Sequence, residues 1–167
     1  MRETLIAIPN DVIPFTLCLD SDGVPVRAWY LPVNEAAEAM LMAGRVCEEK
    51  SFAHYAVSEQ LRAYFQGERI AFDTPMGPRG TDFQRRIWEE MRRIPYGEVV
   101  SYGELAHRVG CRAYRAVGQA CHRNPLPLLV PCHRVIAAGG RLGGFGGGED
   151  IKRLLLRHEG VTPLPVE

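Results

Sequence analysis

Short apolar runs punctuated by turn residues occupy the first part of this chain, and helically spaced apolar positions dominate the rest. Within residues 4–31, stretches such as Phe15-Thr-Leu-Cys-Leu19 and Val26-Arg-Ala-Trp-Tyr-Leu31 flank Asp20-Ser-Asp-Gly23, a strong turn signal. This predicts two or three short strands in a small antiparallel sheet. Asn34 can cap a helix running through about Cys47, and Ser58-Glu-Gln-Leu-Arg-Ala-Tyr-Phe65 followed by Gly67 reads as a second helix with its stop signal.

After Asp73-Thr-Pro-Met-Gly-Pro-Arg-Gly80, whose Pro and Gly content suits a linker, the spacing is helical. Thr81-Asp-Phe-Gln84 is a capping box, and Phe83, Ile87, Trp88, Met91 and Ile94 recur on one helical face until Pro95-Tyr-Gly97 ends the helix. Ser101-Tyr-Gly-Glu104 opens a short helix to about Arg108. Val109-Gly110 makes a turn, and Arg112 to Arg123 is helical again, the layout of a helix-turn-helix. Glu149-Asp150 start a last helix with Ile151, Leu154 and Leu155 on one face and Gly160 as its cap. Glu159 lies at the wrong end of that helix for the macrodipole, so it should have a tertiary partner. The expected architecture is α/β, with an N-terminal sheet-and-helix domain over residues 1–73, a linker at 74–80 and a mainly helical domain over 81–167.

Charge sharpens this division. The net charge is zero, but residues 1–80 carry 7 Lys and Arg against 11 Asp and Glu, whereas residues 81–167 carry 13 against 9. From Leu105 to Gly148 there is no acidic residue, while Arg108, Arg112, Arg115, Arg123, Arg134 and Arg141 all fall inside. A segment that excludes carboxylates over this length is suited to an anionic partner. No apolar run approaches the length of a membrane span, and the apolar stretch at the N-terminus breaks at Pro9, so a cytoplasmic protein is expected. Five irregularly spaced cysteines without a CxxC pair argue against a disulfide framework.

The chemistry concentrates at Leu128-Leu-Val-Pro-Cys132-His-Arg-Val-Ile136. A cysteine attacks as thiolate, and a free thiol is only slightly ionised at neutral pH, so a nearby base or cation matters. Pro131 should end the apolar run and leave Cys132 on a turn. His133 adjoins the thiol in sequence, so proton transfer between them needs a turn or a bridging water. Glu159 could hold His133 in the required tautomer, giving a Cys–His–Glu relay. Such a relay alone would fit a cysteine hydrolase, which has no evident use for an acid-free helix-turn-helix just upstream. The run Gly139-Gly-Arg-Leu-Gly-Gly-Phe-Gly-Gly-Gly148 completes no phosphate-loop motif, but its amides could approach a ligand closely.

Gly80-Thr-Asp-Phe-Gln84, Ile94-Pro-Tyr-Gly-Glu98, Ser101-Tyr102, Arg115-Ala-Val-Gly118, Asn124-Pro125, Pro131-Cys-His-Arg-Val135, Gly143–Gly148 and His158-Glu-Gly160 span nearly all of residues 80–160. In that order they resemble the O⁶-alkylguanine-DNA alkyltransferases, also called methylated-DNA–protein-cysteine methyltransferases. The resemblance implies a ribonuclease-H-like N-terminal domain and a C-terminal domain with a winged-helix-like helix-turn-helix. It implies irreversible, single-turnover DNA repair without a cofactor or metal, in which the Cys132 thiolate takes an alkyl group from O⁶ of guanine. By similarity, a water links Cys132 to His133, Glu159 orients His133, and Asn124 braces the turn. Tyr102 would donate to the guanine ring, the carbonyls of Cys132 and Val135 would accept from its exocyclic amine, and the Gly146 N–H would reach its oxygen. A monomer would enter the minor groove of double-stranded DNA and flip the base, with Arg115 filling the gap and the small Ala113 and Ala116 allowing close approach. Arg112, Arg123 and Arg134 complete the expected DNA-binding set.

Phe145 departs from the tyrosine common in the family, leaving packing without a hydroxyl contact. Cys121-His122 repeats the Cys-His pair eleven residues earlier, but adjacent Cys-His pairs are not a usual zinc spacing, and Cys18, Cys47 and His54 form no recognisable ligand set. A non-catalytic lesion binder would carry tryptophan where Cys132 stands.

Overall fold

The N-terminal apolar runs pair as strands. In the computed structural model, which describes residues 3–8, 10–42, 47–49, 55–68, 71–75 and 79–166, β1 (Glu3–Ala7), β2 (Thr16–Leu19) and β3 (Pro25–Trp29) form an antiparallel ladder. Leu5 lies opposite Cys18 and Leu17 opposite Ala28, and all four β2 positions are buried. The turn before β3 is built by Asp20, whose carboxylate accepts from the N–H groups of Asp22 and Val24, both at 2.9 Å, while Gly23 takes φ 77°.

The sheet is not purely antiparallel. β4 (Cys47–Glu49) joins β1 in parallel, giving the order β3-β2-β1-β4. A parallel neighbour needs a crossover, and α1 (Val33–Met42) lies within it. The helix expected to reach Cys47 is therefore shorter: Cys47 starts a strand, and residues 43–46 lie outside the described residues, as do His54 and residues 76–78 of the expected linker. α2 (Ala56–Phe65) buries Val57, Leu61 and Tyr64 at helical spacing, and Gly67 follows it at φ 85°. The chain divides into two compact units, Met1–Pro78 and Arg79–Glu167.

In the second unit α3 (Asp82–Arg92) carries both halves of the predicted capping box: Gln84 N–H donates to Thr81 Oγ1, and Thr81 N–H donates to Gln84 Oε1. Its buried Ile87, Trp88 and Met91 follow the expected face, and the Trp88 indole donates to the Ala120 carbonyl at 2.9 Å. Gly80 is needed here, because its φ is 84° and a Cβ would stand 2.6 Å from the Trp88 ring. Next come β5 (Val100–Ser101), α4 (Tyr102–Arg108), α5 (Tyr114–His122), β6 (Val135–Ile136), parallel to β5, and α6 (Glu149–His158). Ser101 caps α4 by accepting from Glu104 N–H. α5 begins at Tyr114, two residues later than the sequence suggests, with Ala113 at its N-cap making no side-chain bond.

The buried face of α6 also differs from expectation. Lys152, Leu155 and Leu156 point inward, Ile151 is half-buried, and Leu154 is 41% exposed. Leu156 joins Leu142 and Val161 in a core cluster with Val99 and Leu164 against it. The helix can turn a lysine inward because its ammonium finds two carbonyls, so the charge is solvated by protein.

Candidate active site

The segment before Cys132 is wound tightly by one side chain. Asn124 Nδ2 donates to the Val130 carbonyl at 2.8 Å while its Oδ1 accepts from Leu126 N–H at 3.0 Å. Between them Leu128 is fully buried at φ 78°, a left-handed conformation that costs a branched residue roughly 1–3 kcal/mol. Pro131 then caps a 3-10 turn, Cys132–Arg134, in which Arg134 N–H donates to the Pro131 carbonyl at 3.0 Å. Cys132 is thus on a turn, as the proline implied, and Cys132 and His133 project differently despite being neighbours.

His133 and Arg134 are buried together and share one carboxylate. His133 Nε2 lies 2.7 Å from Glu159 Oε1, Arg134 Nε donates to Oε2 at 2.9 Å, and Arg134 Nη2 donates to Oε1 at 3.0 Å. Arg134 Nη1 also donates to the Ile94 carbonyl at 2.6 Å, and Gly97 N–H donates to Glu159 Oε2 at 3.1 Å. Glu159 therefore has the tertiary partners its helix position called for. Burial alone would raise its carboxyl pKa, but His133 and Arg134 hold it well below the usual carboxylate range. Burial pushes His133 below its ordinary value despite the opposing pull of Glu159, so a neutral imidazole is favoured. With Nε2 facing a carboxylate, the proton belongs on Nε2, and the buried Nδ1, which has no partner among the described residues, is left with its lone pair.

Cys132 opens into a cleft of about 390 Å³, within the range of small-molecule sites, lined among others by Tyr102, Cys121, His122, Phe145 and Gly146. Burial raises its thiol to about 11, opposed by hydrogen bonding from Asn124, the positive charge of Lys152 and the amides of Cys132 and His133. Burial likewise raises Tyr102 to about 12, so its hydroxyl stays protonated; it donates to the Gly144 carbonyl at 3.1 Å. Phe145 and Gly146 line the same cleft as Cys132. The Val135 side chain is fully buried and does not line the cleft, and its carbonyl accepts from Lys152 Nζ at 2.7 Å, which leaves that oxygen one lone pair.

Lys152 is the residue that sequence reasoning missed. Fully buried, its ammonium donates to the carbonyls of Val135 and Leu142 at 2.7 and 2.5 Å and stands 5.9 Å from the Phe145 ring centroid. Burial lowers it to about 8, and the two cleft thiols oppose that shift. The usable signal was its register: three and four residues before Leu155 and Leu156, it occupies the apolar stripe of α6. The arrangement supplies a thiol in a cleft, an adjoining neutral imidazole held in one tautomer, and a cation that favours thiolate, which is the equipment for nucleophilic displacement.

Outside the cleft, Arg112, Ala113, Arg115 and Arg123 are exposed and Ala116 is half-buried, along the start and end of α5. None of these three guanidinium groups has a hydrogen bond or ion pair among the described residues. Arg134 does not belong with them. Only 3% exposed and held by Glu159 and the Ile94 carbonyl, it is not placed at the surface for a phosphate, and its charge balances the buried carboxylate instead. Among the described residues no three His, Cys, Asp or Glu side chains are grouped to hold a metal ion.

The chain matches the family model for the DNA-binding domain of 6-O-methylguanine DNA methyltransferase over residues 82–161. It is 52% identical over 148 residues to a Methanosarcina acetivorans methylated-DNA–protein-cysteine methyltransferase, covering 88% of this chain and 92% of that one. A Mycobacterium leprae protein of the same name is 50% identical over 165 residues, with 96% and 89% covered. Among solved structures, Mycobacterium tuberculosis OGT in complex with DNA superposes with a TM-score of 0.76 at 39% identity, covering 93% of this chain and 92% of that one.

Proposed function

The chain belongs to the methylated-DNA–protein-cysteine methyltransferase family, and on that premise we propose that it repairs O⁶-alkylguanine in DNA by moving the alkyl group irreversibly onto its own Cys132. The observation that carries this reading is the half-buried Cys132 thiol at a base-sized cleft, backed by the buried His133–Glu159–Arg134 network. A hydrolase would need that thiol returned after each cycle. A thioether is a poor electrophile at neutral pH, so an alkyl acceptor acts once.

In the reaction, the thiol proton passes through a water to His133 Nδ1, while the Nε2 proton stays against Glu159. The Cys132 sulfur attacks the alkyl carbon; the S–C bond forms as the C–O⁶ bond breaks, the electron pair stays on the guanine, and the guanine anion takes a proton from solvent as His133 gives up the one it accepted. Lys152 lowers the cost of the thiolate from inside the fold. The Tyr102 hydroxyl, kept protonated by burial, turns from Gly144 to the ring as negative charge grows there. The Gly146 N–H meets the oxygen, Phe145 packs on the base or alkyl group, and the carbonyls of Cys132 and Val135 accept from the exocyclic amine, Val135 with its remaining lone pair.

The target atom is unreachable inside a duplex, so the base leaves the stack, α5 enters the minor groove with Ala113 and Ala116 at closest approach, and Arg115 fills the vacated space. Arg112 and Arg123 bind phosphates. O⁴-methylthymine presents an alkyl–oxygen bond of the same kind, and the mass assay below, run on DNA carrying it, decides whether it is a second substrate. The protein works as a cytoplasmic monomer, with a ribonuclease-H-like first unit, suggested by the antiparallel trio extended by a parallel strand, and a winged-helix-like second unit, suggested by α4, turn and α5 beside the β5–β6 pair. Mass measurement of the intact protein after incubation with excess O⁶-methylguanine DNA tests the reading: one methyl group per molecule, on the peptide holding Cys132, is expected. Repair of many lesions per protein would overturn it.

A further inference from the structure

The first turn of α5 exposes a residue that the repair chemistry has not used. Tyr114 is 61% exposed, the one aromatic ring among the exposed large apolar side chains of the described residues. It lies outside the cleft and is distinct from Tyr102, whose hydroxyl is bonded to Gly144. Its neighbours Arg112, Ala113 and Arg115 are exposed too, so four consecutive residues, Arg-Ala-Tyr-Arg, stand free of the core.

Nothing in the fold explains this ring. Tyr114 makes no hydrogen bond or ring contact among the described residues, and the buried side of α5 is carried by Val117, Ala120 and Cys121. Its setting is complementary to nucleic acid: two guanidinium groups without a partner among the described residues flank it, the first turn of α5 holds no acidic residue, and none occurs between Leu105 and Gly148. An exposed aromatic between free arginines combines a flat apolar surface for bases with cations for phosphates.

We propose that Tyr114 is a second DNA wedge beside Arg115, its ring packing on the nucleotide next to the gap left by the extruded base. The inference rests on the proposed function. Extrusion deprives the neighbouring base of one stacking partner, and consecutive residues on a helical turn diverge by about 100°, so one can fill the gap while the other covers its flank. Arg115 supplies charge and volume; Tyr114 supplies the flat surface.

The test compares single-turnover rates on an O⁶-methylguanine duplex and on free O⁶-benzylguanine. Tyr114→Ala should slow the duplex reaction on the order of ten-fold relative to the free-base reaction, in line with the loss of one base–aromatic contact. Tyr114→Phe should restore most of that loss, because the ring and not the hydroxyl makes the contact. As a direct readout, the indole emission of Tyr114→Trp should be quenched when lesion duplex is added. Equal losses on both substrates, or Tyr114→Trp emission that ignores DNA, would overturn the wedge. Wild-type protein that reacts with neither substrate would overturn the repair reading instead, so the two failures are distinguishable. Because the side chain is mostly exposed, the variants should fold.

Discussion

The tripeptide Cys-His-Arg occurs twice in this chain, as Cys121-His122-Arg123 and as Cys132-His133-Arg134, and the two copies have almost opposite environments. In the first, at the end of α5, the cysteine is buried and the histidine and arginine are exposed. In the second, on a 3-10 turn, the cysteine is half-exposed while the histidine and arginine are buried on Glu159. Both cysteines line the same cleft. Burial raises the Cys121 thiol to about 12, against about 11 for Cys132, and only Cys132 gains a hydrogen bond from Asn124. Residue type therefore does not make the nucleophile. What differs is whether the backbone directs the imidazole into a buried ion network or out to solvent.

The strongest way to break this comparison is to exchange the sulfurs. Cys132→Ser should abolish methyl transfer from DNA while binding persists, and Cys121→Ser should still gain one methyl group in an intact-mass assay. Alkylation at Cys121 would reverse the assignment.

The arginines separate next. Arg134→Ala leaves the Glu159 carboxylate buried with one cation fewer, and breaking such a pair costs about 3–5 kcal/mol. Arg123→Ala, at an exposed site, should stay within about 0.5 kcal/mol of wild type in denaturant unfolding. Comparable losses would mean that the network contributes little to stability.

The buried histidine couples stability to pH. His133 is held neutral, so below about pH 6.5 the unfolded chain takes up a proton that the folded protein resists, and stability falls as pH falls, by at most about 1.4 kcal/mol per pH unit. Glu159, with its folded pKa depressed, adds stability that is complete above the ordinary carboxylate range and is lost in acid below it. His133→Gln should flatten the upper part of this decline, as read from urea midpoints between pH 7 and 5. An undiminished decline in that variant would show that the buried neutral imidazole does not set it.

The smallest effect expected concerns transfer itself. Glu159→Gln should raise the pH of half-maximal rate, because an imidazolium formed on accepting the thiol proton loses its anionic partner. DNA affinity should change little in a binding assay at pH 7. An unchanged pH–rate profile would leave Glu159 with the structural task of balancing Arg134.

Much of this was legible in the sequence where the determinants are local. The capping box at Thr81, the Asp20 turn, the stop at Pro131 and the apolar face of α3 rest on interactions within a few residues. Glu159 stands at the wrong end of its helix for the macrodipole, which points to a distant partner, and His133 and Arg134 are those partners. The parallel addition of β4, the inward turn of Lys152 and the withdrawal of Arg134 from the surface were not legible. Each depends on which carbonyls or carboxylates from remote segments arrive nearby.

Residue spacing alone placed the four α-helices of the C-terminal unit, the reactive turn and the segment that carries positive charge without carboxylates, but not the β5–β6 pair. Which of two identical tripeptides presents its thiol and which its arginine was settled by packing between distant segments. The reason is one of range. Caps, turns and helical spacing act over one or two turns of chain, whereas burial of a charge is tolerable only beside a partner, and for Arg134 that partner is 25 residues away.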